Sequence, residues 1–129
     1  MSTANGMWGD LSNLEIVRTP KSILEEQAKL LTSATKNSLV GQVRKVEGPF
    51  SKKRFVYDLD IVVPSLNNYS YTVLRIEHDV DLYPILVRPS EMAPGRTCSN
   101  EEAFCNAVEA ILSSDGVKRV ISRLLSQVA

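Results

Sequence analysis

Apolar and polar positions alternate along residues 53–63. Phe55, Tyr57, Leu59, Ile61 and Val63 share one parity, with Arg54, Asp58 and Asp60 between them. A period of two places the two sets on opposite faces of a pleated strand, so this segment reads as a half-buried strand of an antiparallel sheet. Three more strands are predicted beside it. Residues 39–47 make the first, ended by Gly48-Pro49; residues 53–63 make the second, ended by Pro64 and the Asn67-Asn68 turn pair. Residues 69–78 make the third and residues 82–88 the fourth. Short loops join all four, which favours an antiparallel meander. Pro84 cannot donate to a ladder, so the fourth is expected at an edge or to begin there.

Parity in the third strand is mixed. Tyr69, Tyr71 and Val73 fall on one face, Thr72, Leu74 and Ile76 on the other. If Tyr69 and Tyr71 pair across the sheet with Tyr57 or Phe55, Leu74 and Ile76 turn outward unless a bulge intervenes. The alternative is a strand covered on both faces, as dimerisation through the sheet would produce.

A helical period takes over outside the strands. Thr19 is placed to cap a helix with Pro20 at its first position, and Ser22 with Glu25 offers a capping box one turn later. Leu24, Ala28, Leu31 and Ala34 form its apolar stripe, widened by Ile23 and Leu30, and the helix is expected to end near Asn37. Residues 90–97, with Pro94-Gly95, read as a loop. Ser99 with Glu102 opens a second helix whose apolar face is Phe104, Ala107, Val108, Ile111 and Leu112. Ser114-Asp115-Gly116 interrupts it and restarts a third helix bearing Val117, Val120, Ile121, Leu124, Leu125 and Val128. The expected fold is therefore α+β: one domain over residues 13–129, an N-terminal helix, a four-stranded antiparallel meander, and two C-terminal helices on one sheet face. Residues 1–12 are expected to be a flexible tail.

The chain has 129 residues, 43% hydrophobic and 23% charged, with fifteen acids balancing fifteen bases. A balanced charge gives no long-range field toward nucleic acid or anionic lipid, so neither is an expected partner. No stretch approaches the roughly 20 apolar residues that span a bilayer, and the first ten residues lack the charged and apolar regions of a secretory signal. Cys98 and Cys105 suit two free thiols in a reducing, cytoplasmic setting.

Candidate chemistry is sparse. A meander brings the loops after strands one and three to the same end of the sheet, gathering Lys52, Lys53 and Arg54 near Glu77, His78, Asp79 and Asp81. Solvated, mutually neutralising turn charges are the expected outcome. A metal or acid–base site is disfavoured, because strand neighbours Glu77 and His78 point to opposite faces, and no metal or cofactor is expected. Arg44, Lys45, Lys52, Lys53 and Arg54, with Phe50, Phe55 and Tyr57 nearby, resemble a single-strand-binding mix, but Phe55 and Tyr57 share the parity of the core. No nucleophile elbow or Gly-rich phosphate loop is present. Asp58 and Asp60 share the face opposite the apolar set, as paired carboxylates or as a solvated face.

Partner contact is the better-supported expectation. Trp8, the sole tryptophan, either folds back over the domain with Leu14 and Ile16 or anchors a partner. Tyr69, Tyr71 and Arg75 form with Glu77 a strand face suited to recognition. The chain is accordingly expected to be a non-catalytic interaction or accessory module. It would bind a protein or a second copy of itself through an open sheet face or the Pro84 edge strand. The alternative is a small enzyme or ligand-binding domain using His78 and its neighbouring carboxylates.

Overall fold

A computed structural model describes residues 3–48, 53–90 and 94–129. The order is a short 3-10 segment Thr3–Trp8, α1 Pro20–Ala34, β1 Val40–Lys45, β2 Phe55–Val63, β3 Tyr69–His78, β4 Ile85–Pro89, β5 Arg96–Cys98, α2 Glu101–Leu112 and α3 Asp115–Val128. The strands form one antiparallel sheet in the order β1-β2-β3-β4-β5, and the helices cover one of its faces. The α+β class, the single domain and the helix–sheet–two-helix order follow the pattern of the sequence. The sheet has a fifth strand, beginning in the segment expected to be a loop and ending one residue past it, and β5 takes the edge from β4. Pro84 stands just before β4.

Capping sets where the helices begin. The Thr19 hydroxyl accepts from the Ser22 amide and the Ser22 hydroxyl accepts from the Thr19 amide, so the capping box lies one turn earlier than Ser22 and Glu25. Asn100, rather than Ser99, caps α2 through Ala103, and Ser114 caps α3 through Val117. Helix α1 ends at Ala34, ahead of Asn37, because Lys36 and Asn37 both take positive φ, 51° and 68°. There the Thr35 hydroxyl donates to the Leu39 carbonyl and accepts from its amide, turning the chain into β1.

Helix α1 lies directly over β1. A Cβ at Gly41 would overlap the Ala28 backbone, and the Gly41 amide donates to the Thr32 hydroxyl at 2.9 Å. That hydroxyl satisfies an amide on the outer side of an edge strand, where a foreign strand could otherwise pair.

The mixed parity of β3 has a local cause. Leu59 pairs with Leu74, but Asp60 pairs with Thr72, so Val73 is an extra residue. This bulge turns Val73 and Leu74 both toward the helices, where both are buried. Tyr69 and Tyr71 therefore lie opposite Val63 and Ile61 on the helix-covered face, while Arg75 and Glu77 lie on the other. Expected pairing of the two tyrosines with Tyr57 or Phe55 does not occur, since those oppose Ile76 and His78. No cover over both faces is needed to explain the pattern.

The core is in two clusters. One is centred on Phe104, Leu24, Tyr57, Leu74, Ile76 and Ile85 beneath α1 and α2; the other on Leu39, Ile61, Val63, Val73 and Leu124 beneath α3. Ile111 and Leu112, at the end of α2, border both. No helix among the described residues is long and apolar enough to cross a membrane.

Candidate interaction surfaces

The helix-free sheet face is a lattice of opposite charges. Arg44, Asp58 and Arg75 stand side by side across β1, β2 and β3. Arg75 donates to Asp58 through Nε at 2.7 Å and Nη2 at 3.1 Å, and Arg44 reaches Asp58 through Nη2 at 2.9 Å and Asp60 through Nε at 3.0 Å. Thr72 donates to Asp60 at 2.8 Å. Asp58 is 1% exposed, because the long arginine side chains lie over it. Hydrogen bonds donated by Arg44 to Asp60 and by Arg75 to Asp58 hold both guanidinium protons more tightly than usual. The two carboxylates are thus neither a solvated face nor a free acid–base pair.

The charged end of the sheet divides. Arg54 and Arg88 flank Glu77, each at 3.9 Å, on the helix-free face. His78 is on the other face, 3% exposed, stacked on Phe55 with a centroid distance of 5.4 Å and near Tyr57 at 6.3 Å. Its Nδ1 lies 2.7 Å from the Asp79 carbonyl, and Nε2 has no hydrogen-bond partner among the described residues. Asp79 accepts from the Asp81 amide in a tight turn. Lys53 is exposed, whereas Lys52 and Phe50 lie outside the described residues. Among the described residues no group of three or more His, Cys, Asp or Glu side chains could hold a metal ion. Cys98 and Cys105 are free, and burial pushes both thiols up.

Tyr69, Tyr71 and Arg75, expected on one strand face, are split by the bulge, and share only the lining of a polar basin of about 540 Å³ beyond the last β3–β4 pair. Tyr71 is half-buried with its hydroxyl 3.1 Å from Ser90 Oγ, and Tyr69 is 50% exposed. Arg75 in that basin is engaged by Asp58.

The apolar opening is on the helix side. A cleft of about 280 Å³ lies between α1 and α3, lined by Leu30, Leu31 and Ala34 of α1, Ile61 and Val73 of the sheet, and Ile121 of α3. It opens where the two core clusters meet, because the apolar stripe of α1 runs past the part that α2 covers. Ile23, Leu24 and Ala28 are buried, whereas Leu30 is 60% exposed. Gln27 and Leu112 join this cleft to a groove of about 610 Å³ between α1 and α2, and Ile121 joins it to a shallow apolar surface at Leu125. The signal for this cleft is the width of the α1 stripe: Leu30 extends it beyond what one sheet contact can cover.

Ahead of α1 stands an apolar arm. Residues 6–18 are all exposed, among them Met7, Trp8, Leu11, Leu14, Ile16 and Val17. Trp8 is 82% exposed and Ile16 92%, so the expected folding back of Trp8, Leu14 and Ile16 over the domain does not occur. Asp10 organises a local turn, accepting from Ser12 and Asn13, and the Ser12 bonds lower its pKa. The root of the arm is fixed by Arg18, which bridges Glu26 of α1 at 3.1 Å and Glu101 of α2 at 3.3 Å.

Comparison of the chain with protein-family models, curated proteins and solved structures gave no match.

Proposed function

We propose that this chain is a non-catalytic protein-interaction module that seats an apolar polypeptide segment in the α1–α3 cleft. The observation that carries this reading is a cleft lined by aliphatic side chains from three elements, with Leu30 60% exposed at its rim. Apolar surface of this kind, open to water and bordered by polar residues, is a feature of recognition sites. The helix-free sheet face and the edge strands are weaker surfaces. Charges on that face are already matched by one another, and the Gly41 amide at the β1 edge is occupied by Thr32.

A second reading, a small enzyme or ligand-binding domain working through His78, has the unpartnered Nε2 in its favour. Among the described residues the clefts between the helices and at Tyr69–Ser90 leave His78 outside their linings, and the ring is packed against Phe55.

Affinity purification from the native host tests the proposal with two surface substitutions, each first shown to leave the melting temperature unchanged. Leu30→Glu places a charge in the cleft, and Gln42→Glu places one on the exposed helix-free face. Proteins that co-purify with the unaltered chain and with Gln42→Glu should be lost from Leu30→Glu. Loss with Gln42→Glu alone would move the interface to the sheet.

A further inference from the structure

We infer that the segment seated in the α1–α3 cleft is the N-terminal arm, residues 7–17, of a second copy of this chain, so that two copies exchange arms. The inference rests on the cleft being a peptide-binding site and names its occupant. Two surfaces of the single chain are left bare at once: the apolar side chains of the arm and the apolar lining of the cleft. Reciprocal exchange covers both, twice over, in a closed two-fold assembly.

Charge and length fit the pairing. The arm carries Asp10 and Glu15 and no base between residues 6 and 17. Helix α3, which forms the far wall of the cleft, carries exposed Lys118 at the flank of its apolar face, with Arg119 and Arg123 on the side away from the cleft and Asp115 as its single acid. Lys118 lines the surfaces on both sides of the cleft, where an incoming acidic arm would pass. Opposite potentials of this kind steer association and fix orientation. With the Asp10 turn opened, residues 7–17 reach about 35 Å extended, longer than the roughly 22 Å of a fifteen-residue helix. The arm can therefore run the full length of α1 on a neighbour. Its root is held at the near end of α1 and α2 by Arg18, which leaves the apolar residues projecting from a fixed point.

Trp8, the only tryptophan, reports directly on the exchange. Light scattering and Trp8 emission are followed together over a dilution series of the full chain. Arm exchange predicts twice the chain mass at high concentration and a blue-shifted emission that moves red as the mass falls. Leu30→Glu, which keeps Trp8, should be a monomer with red-shifted emission throughout. Ile16→Glu should also be a monomer, and mixing the two variants should restore a species of doubled mass, because one intact arm and one intact cleft remain. A monomer at all concentrations, with Trp8 exposed or buried in its own chain, overturns the inference. So does a dimer whose mass and Trp8 emission neither substitution alters. Loss of foreign partners from Leu30→Glu with the unaltered chain monomeric would leave the cleft as a binding site and remove the second copy as its occupant.

Discussion

Removing the Asp58 carboxylate takes a shared partner from two guanidinium groups above the centre of the sheet, since Arg44 and Arg75 both donate to it, and leaves Arg44 its bond to Asp60. Breaking a buried ion pair from one side costs about 3–5 kcal/mol. The arginine side chains are 48% and 39% exposed, so water recovers part of that. Asp58→Ala should destabilise the fold by about 2 kcal/mol, measured by urea unfolding; a change near zero would mean that the lattice contributes nothing. Tyr83 gives a pH test with a defined sign. Burial, reinforced by Glu101 and Cys105, pushes its hydroxyl from the ordinary 10.0 up to about 12. The folded state thus holds the proton more tightly than the unfolded chain. The resulting stability is complete below about pH 10 and is lost as pH rises toward 12. Tyr83→Phe should remove that part of the alkaline loss. Because the Tyr83 hydroxyl has no partner among the described residues, the substitution should leave stability near pH 7 unchanged or raised. A loss of stability near pH 7 would show that the hydroxyl has a partner.

At the scale of elements, α1 approaches β1 closely enough to exclude a side chain at Gly41. Gly41→Ala should destabilise by about 3 kcal/mol, because its Cβ meets the rigid Ala28 backbone rather than a side chain that can move. Thermal unfolding would check this, and a variant as stable as the parent would mean that α1 can slide off β1. The legibility of the elements follows from the range of the forces that set them. Strand β2 was readable because one clean period governs it, and the Thr19 cap of α1 because it is a local hydrogen bond. The bulge at Val73 was visible only as a conflict: Tyr69 and Tyr71 on one parity, Leu74 and Ile76 on the other. The register of β2 against β3 resolves it, and no single strand contains that information. Strand β5 was missed because three residues are too few for a period, and it exists through pairing with β4. Its presence moves β4 from the edge to the interior.

For the whole molecule, the surfaces expected from local pattern and those assembled by the fold differ. Tyr69, Tyr71 and Arg75 come together at one basin, as their proximity in sequence allows, although the bulge puts the tyrosines and Arg75 on different faces. Asp58 and Asp60 are buried by arginines from two other strands, which no reading of β2 alone can supply. The cleft draws on α1, the sheet and α3, elements up to about ninety positions apart along the chain, so its only trace in the sequence is surplus apolar width on α1. On the proposed reading, that cleft and the arm ahead of it serve binding rather than chemistry. Photo-cross-linking tests this most directly. A photoreactive side chain is placed at Leu30, and separately at Gln42, in the full chain within its native host. Protein adducts should form from position 30 and be absent from position 42. Adducts from position 42 alone, or from neither position, would contradict the cleft as the binding surface.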